Sequence, residues 1–328
     1  MLAFIAQRTL IMIPTMILIS VIVFIVIQLP PGDYLDTLVS QMASQGDRVD
    51  DAQLVALRAR YGLDQPLVIQ YFHWIGGIIT RGDFGQSFEW NKPITELIVP
   101  RLALTLGIAS VVLILTAIIA IPIGIYSAVR QYSIGDHIAT FFGFIGLAIP
   151  NVLLTLALLY LTFITFGLEP GGLFSREYQN APWSVGKVLD LVAHLWIPVV
   201  VLTLAGTAEV IRVMRAQMLD EITRPYVETA RAKGLGETRL LLRYPARIAI
   251  NPIVSKLGWM LPIILSSEAI VSVIVDIPTT GPLLLRALLA QDMYLAGAII
   301  LMLSAITVVG TLVSDVLLAI IDPRIRAA

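Results

Sequence analysis

The sequence predicts an all-α membrane protein with six transmembrane helices and a small extracytoplasmic insertion after the first of them. Three observations support this fold class. Of the 328 residues, 57% are hydrophobic and only 14% are charged, whereas a soluble domain carries about 25% charged residues. Six apolar stretches each reach the roughly 20 residues that a helix needs to cross a bilayer core. A polar segment of roughly 70 residues, too long for an ordinary loop, separates the first two stretches.

The six predicted spans contain most of the apolar residues. In chain order they cover residues 10–29, 102–129, 138–166, 189–213, 253–275 and 295–321. The first is longer than the apolar core of a signal peptide and lacks a small-residue cleavage site, so we expect it to persist as a span. Besides Pro14 in the first span, four other spans each contain a proline, and we expect local kinks at Pro122, Pro150, Pro198 and Pro262.

Lysine and arginine residues near the span ends predict the orientation of the chain. Thirteen of the 22 lie on one side of the spans, whereas the short loops of the other side hold only Arg176, Lys187 and Arg286. The side rich in these residues faces the cytoplasm, so both termini are predicted to be cytoplasmic. With acidic residues included, the predicted inner side carries a net charge of +5 and the outer side −5, while Glu268 inside a span supplies the remaining −1.

The polar segment divides the chain into three predicted regions. Residues 1–29 form a cytoplasmic end and the first span, residues 30–101 an extracytoplasmic helical subdomain, and residues 102–328 a core of five spans. Inside the subdomain we expect one helix over residues 50–61, stopped by Gly62, and another that begins at Pro66 and continues through Ile79.

A charged segment at residues 217–251 lies on the predicted cytoplasmic side. Pro225 suits the first turn of a helix and Gly234 a helix end, and a second short helix is predicted from Glu237 to Tyr244. Glu228 near the start of the first helix and Arg231 near its end match the direction of the helix dipole. Ala230 and Ala232 have small side chains, which allow another protein to approach the helix closely. This segment is therefore predicted to be a docking element.

The same segment carries a family resemblance. Residues 226–235 read Tyr-Val-Glu-Thr-Ala-Arg-Ala-Lys-Gly-Leu and resemble the EAA loop of ABC importer membrane subunits, in the form found in the peptide-importer branch. Thr229 replaces the middle alanine of the loop's name, a departure that this branch shares. The resemblance extends over nearly the whole chain, to the B-type subunit of oligopeptide/dipeptide permeases. Its other motifs are Pro31-Gly32-Asp33, Tyr61-Gly62-Leu63-Asp64-Gln65-Pro66-Leu67, Gly82-Asp83-Phe84-Gly85 and Asp322-Pro323-Arg324-Ile325-Arg326.

The resemblance implies a type I permease fold and a set of partners. Such a subunit pairs with a second, homologous permease subunit as a heterodimer, two cytoplasmic ATPase subunits drive the pair, and an extracytoplasmic binding protein delivers the solute. The location is the inner membrane of a bacterium or archaeon. The residues that the resemblance assigns to ATPase coupling are Tyr226, Glu228, Thr229, Ala230, Arg231, Lys233, Gly234 and Leu235. Arg231 and Lys233 are expected to pair with acidic residues of the ATPase.

The substrate implied by the resemblance is a di- or oligopeptide. One motif departs from the family, which commonly has E-x-x-F-x-x-P-G-L-G near the outer end of the fifth span. Here Ser272 replaces the glutamate, Val275 the phenylalanine, and Pro278-Thr279 the Pro-Gly pair. Because this stretch faces the outer mouth or the pathway, oligosaccharides or related solutes remain the alternative substrate class.

Polar residues inside the spans are candidates for the translocation pathway, since an ionisable group in hydrocarbon is costly and usually faces the bundle interior. The candidates are Glu268, Ser272 and Asn151. Glu268 lies mid-way along its span with no partner expected on the same helix. Glu209 is three residues before Arg212 and is expected to pair with it. Asp315 is expected to be structural or interfacial.

The chain lacks the residues that several classes of protein function require. The chain has no G-x-x-x-x-G-K-[ST] phosphate loop, no G-x-S-x-G nucleophile motif, no cysteine and no histidine spacing typical of a metal site. With a net charge of −1, the chain has no excess of positive charge with which to bind nucleic acid. We therefore expect a non-enzymatic subunit without cofactor or metal. The alternatives are a secondary transporter driven by an ion gradient, which needs intramembrane carboxylates, and a membrane-embedded hydrolase.

Overall fold

The structure is a computed structural model that describes residues 2–29, 65–167 and 171–321. Most of these residues are helical. In these residues the only β pairing is an isolated bridge between Gln86 and Pro93. The helices in chain order are α1 (Leu2–Gln28), α2 (Leu67–Arg81), α3 (Ile94–Val129), α4 (Ile134–Ala148), α5 (Asn151–Phe166), α6 (Val185–Ile222), α7 (Pro225–Ala232), α8 (Glu237–Arg243), α9 (Pro245–Ala249), α10 (Asn251–Val275), α11 (Thr280–Leu289) and α12 (Met293–Ile321).

Five described helices are long and apolar enough to cross a membrane by themselves: α1, α3, α6, α10 and α12. The sixth predicted span, residues 138–166, is not a single kinked helix as we expected. It is broken into α4 and α5, whose axes differ in direction by 102°. Ile149, which precedes Pro150, adopts an extended backbone (φ −88°, ψ 120°), because proline disfavours helical geometry in the residue before it. Pro122, Pro198 and Pro262 lie inside continuous helices, as does Pro14 of the first span.

The segment before the second span is partly described. A helix begins after Pro66, as predicted, and α2 ends at Gly82 in the left-handed conformation. The second span then begins earlier than expected, since α3 starts at Ile94 and continues through residue 101 without a break. The helix predicted over residues 50–61, the motifs at residues 31–33 and 61–64, and the tail motif at residues 322–326 lie outside the described residues.

The chain divides into two compact units, of which the first comprises Met1–Arg8, Thr105–Pro278 and Thr307–Ala328. Its core lies at one end of α3 and α6, where Met214 and Met218 pack with Ala120. Short helices α7 to α9 bury apolar residues in the same cluster, among them Val227, Ala230, Leu240, Leu241 and Ala249. We name this group the loop-support cluster. It fixes the charged segment to the end of α6.

The second unit comprises Thr9–Leu104 and Thr279–Ile306. It holds helix α11, which was not expected from the sequence, and a buried carboxylate, Asp292, at the start of α12. Asp292 accepts hydrogen bonds from the Ser87 hydroxyl at 2.5 Å, from the Glu89 amide at 3.2 Å and from the Leu295 amide at 3.2 Å. Burial raises the pKa of the Asp292 carboxyl. These bonds cap α12 and hold residues 87–89 against its first turn.

Candidate coupling loop and intramembrane carboxylate

Helix α7 is attached to the first unit by one face and exposed on the other. Val227 and Ala230 are buried in the loop-support cluster, at 0% and 6% exposure. The exposed residues of the helix and its end are Pro225, Glu228, Thr229, Arg231, Ala232, Lys233 and Gly234. The expectation that Ala230 offers a low outer surface was therefore wrong, because three residues after Val227 it falls on the same inward face. The exposed small residue is Ala232.

Tyr226 ties the start of α7 to the end of α6. Its hydroxyl donates a hydrogen bond of 2.5 Å to the Glu221 carboxylate. Burial, and after it the Glu221 carboxylate, raises the pKa of the Tyr226 phenol, so the hydroxyl remains a donor. Thr229 donates from its hydroxyl to the Pro225 carbonyl at 3.0 Å, one turn back on the same helix. Because these bonds stay inside the segment, the first turn of α7 is held in place without a partner protein.

The turn between α7 and α8 depends on Gly234. This residue has a φ of +78°, the left-handed region that glycine enters without a steric penalty. Gly236, two residues on, has an ordinary φ of −61° and precedes α8. Leu235, between the two glycines, is half-buried and packs on the loop-support cluster. The turn therefore sets the angle at which α8 follows α7.

Arg231 is braced by the second short helix. Its guanidinium donates two hydrogen bonds to the Glu237 carboxylate, at 2.7 and 3.1 Å. The Arg231 guanidinium holds the pKa of the Glu237 carboxyl below its usual range, so the pair stays charged at neutral pH. We expected Arg231 to pair with an ATPase, and in this chain it pairs with Glu237. A spacing of six residues across a turn is not a helical spacing, and so the sequence contained no signal for this contact.

A charge swap tests the pair. We expect Arg231→Glu to lower transport because it places two carboxylates together at the turn, and we expect Glu237→Arg in the same chain to restore it. The measurement is the initial rate of uptake by the reconstituted importer, with each single variant as a control. A double variant as defective as Arg231→Glu alone contradicts the bracing role and assigns Arg231 to a contact outside the chain.

The structure brings two of the three pathway candidates together. Glu268 and Ser272 lie one turn apart on α10, both fully buried, and the Ser272 hydroxyl donates a 2.5 Å hydrogen bond to the Glu268 carboxylate. The expectation that Glu268 has no partner on its own helix was therefore wrong. Asn151 is half-buried at the first position of α5, beside the break at Pro150. Its carbonyl accepts a hydrogen bond from the Thr155 hydroxyl at 2.7 Å.

Two other acidic residues of the spans, Glu209 and Asp315, form ion pairs between helices. Glu209 pairs with Lys256 of α10 at 2.7 Å and not with Arg212, as we had expected. Helix α10 packs against α6, and its lysine reaches the Glu209 carboxylate. Asp315 lies 3.5 Å from Arg8, which agrees with a structural or interfacial role. Across the described ranges, no group of three or more His, Cys, Asp or Glu side chains has the arrangement of a metal site.

Two family models cover this chain. Residues 120–327 match the binding-protein-dependent transport system inner membrane component family, and residues 1–109 match the N-terminal family of the same membrane components. The chain belongs to this family. It is the transmembrane permease subunit of a binding-protein-dependent ABC importer, as the coupling-loop motif predicted. This finding gives no support to the secondary-transporter alternative.

Curated relatives agree over the full length of the permease. It is 36% identical to the oligopeptide transport system permease protein AppB of Bacillus subtilis, over 327 residues that cover 99% of this chain and 100% of the relative. It is 30% identical to the dipeptide transport system permease protein DppB of Escherichia coli K12, with 99% of each chain covered. Membership of the B-type permease subunits is thereby confirmed.

A solved structure supports the fold of the permease. A chain of the MetNI methionine ABC transporter, in an inward-facing conformation, matches with a TM-score of 0.53 at 15% identity. The match covers 70% of this chain and 97% of that one. At this identity the likeness concerns the fold alone. The predicted type I permease fold is confirmed, and the permease is a multi-pass membrane protein.

Proposed function

We propose that this permease subunit carries di- or oligopeptides into the cell after an extracytoplasmic binding protein delivers them. The support is the function for which relatives over 99% of its length are named: an oligopeptide permease, a dipeptide permease and, at 30% identity, a glutathione permease from Salmonella. Oligosaccharides are the second candidate class, favoured by the departures at Ser272, Val275 and Thr279 from the family motif. The permease forms a heterodimer with a second, homologous permease subunit, and both termini lie in the cytoplasm.

A competition experiment separates the two substrate classes. The complete importer in proteoliposomes, with its binding protein outside, should take up a radiolabelled dipeptide or tetrapeptide in an ATP-dependent manner. An excess of unlabelled peptide should compete, while an excess of oligosaccharide should not. Uptake of labelled oligosaccharide that peptides fail to compete with would assign the second class. Activity of the purified permease alone on either compound would contradict its assignment as a non-enzymatic subunit.

The exposed face of α7 is the surface that couples the permease to its ATPases. The observation that carries this assignment is the division of α7 into a buried face, with Val227 and Ala230, and an exposed charged face. An ATPase that binds the exposed face can displace α7. Because the loop-support cluster packs α7 against α6, the displacement is transmitted to α6. Because α6 is a single helix of 38 residues, a rigid-body displacement at its inner end reaches the membrane interior.

The pathway assignment rests on the buried pair of α10. A carboxylate within a span is retained only where other polar groups or the transported solute compensate its burial. We assign Glu268 and Ser272 to the pathway, with Asn151 at the break between α4 and α5. The interhelical structural bond remains the alternative role for Glu268. Substitution by Gln separates the two, since a structural role lowers stability and a pathway role changes the apparent affinity for substrate in a correctly assembled importer.

Reversal of charge at the first turn of α7 tests the coupling assignment. We expect Glu228→Lys to reduce ATP-driven uptake to background, because Glu228 is exposed on the coupling face near the positive end of the helix dipole. Asp220→Lys is the matched control, since Asp220 is also an exposed acidic residue but lies on α6, outside the coupling helix α7. Both variants should reach the membrane. Normal uptake by Glu228→Lys, or an equal loss in Asp220→Lys, overturns the assignment.

A further inference from the structure

A groove with a volume of about 270 Å³ lies between α4 and α6. One end is polar and is lined by Asp136 and His137 of α4 together with Arg212 and Arg215 of α6. The other end is apolar and is lined by Phe144, Leu147 and Ala208. The two helices are antiparallel in the predicted topology, so the polar side chains of both helices lie near the predicted cytoplasmic ends. The groove therefore runs from a basic mouth toward the membrane interior.

The mouth of the groove holds a positive charge with which no side chain of the described residues forms an ion pair. Arg215 donates two hydrogen bonds to the Asp136 carboxylate, at 3.1 and 3.2 Å, and the Tyr132 amide donates a third to the same carboxylate at 2.9 Å. Asp136 is thus occupied by its own chain. Arg212 lies one turn before Arg215 and is exposed. Within the described ranges no ion pair involves Arg212.

The apolar end is open and close to the surface. Phe144 is 63% exposed and Leu147 is 49% exposed. Gly143 of α4 also lines this end, and because it has no side chain it leaves the groove unobstructed. A Cβ atom at Gly143 would meet the Ala208 Cβ at 3.7 Å, an ordinary contact distance. An unpaired arginine at one end and uncovered apolar side chains at the other match a ligand with an anionic head and a long apolar tail.

We propose that this groove binds an anionic glycerophospholipid of the cytoplasmic leaflet. The phosphate of the head group contacts Arg212, and an acyl chain lies along Phe144 and Leu147. The placement in the cytoplasmic leaflet rests on the orientation proposed above, whereas the preference for an anionic lipid rests on the groove itself. Basic pockets between transmembrane helices on the cytoplasmic side are known to bind anionic lipid head groups. A lipid held there contacts both α4 and α6, the helix that leads into the coupling segment.

A single-cysteine probe tests the proposal, because the chain has no cysteine of its own. The variant Phe144→Cys, in the assembled importer with cysteine-free partners, is labelled with bimane and placed in nanodiscs. Brominated phosphatidylglycerol should quench the probe at about fivefold lower mole fraction than brominated phosphatidylcholine, the factor that corresponds to ~1 kcal/mol for one arginine. Raising the salt concentration should narrow this difference.

Four further variants locate the lipid. In the labelled background, Arg212→Gln should abolish the preference for phosphatidylglycerol, whereas Arg247→Gln, at an exposed arginine of α9 outside the groove, should retain it. Gly143→Leu should block the acyl-chain end, and Gly143→Ala should leave it open. Equal quenching by both lipids overturns the proposal, as does a preference that survives Arg212→Gln. Absence of quenching by either lipid, as expected if a protein subunit covers Phe144, also overturns it. The readout does not use uptake, so its failure leaves the proposed function standing.

Discussion

Replacing Gly234 by valine is expected to reduce ATP-driven uptake to background while the permease still inserts and assembles. Gly234 has a φ of +78°, and a non-glycine residue in the left-handed region costs about 1–2 kcal/mol, most of all when it is β-branched. No atom lies within 4 Å of the Cβ position, so the strain comes from the backbone and not from a clash. The turn relieves it by changing the angle between α7 and α8, which breaks the Arg231–Glu237 brace.

Two variants of the same turn control this prediction. Gly234→Asn should retain much of the uptake, because asparagine enters the left-handed region more readily than other residues. Gly236→Val should also be tolerated, since Gly236 has a φ of −61° and open space around it. Uptake is measured in proteoliposomes with the ATPases and binding protein present, and membrane insertion by immunoblot. Valine variants at 234 and 236 with the same activity would show that the conformation of Gly234 is not what coupling requires.

Replacing Gly124 by valine is expected to destabilise the permease by about 3 kcal/mol, the upper end of the usual cost of overpacking. A Cβ at this position would lie 2.6 Å from the Met214 Cβ and 3.1 Å from the Ile211 carbonyl. Both are close to the backbone of α6 and cannot rotate away. Helices α3 and α6 must therefore separate, and the loop-support cluster, which contains Met214, loses its packing.

The matched control is Gly107→Val on the same helix. No atom lies within 4 Å of the Cβ position of Gly107, so valine there should change the unfolding midpoint little. The measurement is thermal unfolding of the purified permease complex in detergent, followed by uptake for variants that remain folded. If the two variants shift the midpoint equally, the loss arises from valine in α3 in general and not from the contact with α6.

Much of the architecture follows from local sequence. A bilayer supplies no hydrogen-bond partners for a bare backbone, so a long apolar run has to form a helix, and the spans lie where hydropathy predicts them. The helices of the coupling segment are equally local. Pro225 begins α7 and Gly234 stands just beyond its end, as predicted, and α8 begins at Glu237. The family motif in this segment was readable without any tertiary information.

The features that the sequence did not reveal share a different cause. Whether Ala230 faces out or in depends on what packs against α7. The partner of Arg231 depends on the direction of the turn at Gly234, and that of Glu209 on how α10 lies against α6. The break at Pro150 was visible as a proline but not as a bend of 102°, because a proline in a span either kinks or interrupts the helix according to the neighbouring helices.

The sequence by itself determined the class of this protein: the spans, the predicted orientation, the coupling-loop motif and the family to which they belong. These features depend on composition, on periodicity and on residues adjacent in the chain. Only the tertiary structure decided which face of the coupling helix remains open, which charges neutralise one another, and that Arg212 is left without an ion-pair partner within the described residues. The physical reason is that burial and electrostatic pairing are set by distances between side chains far apart in sequence. Those distances exist only after the helices have packed.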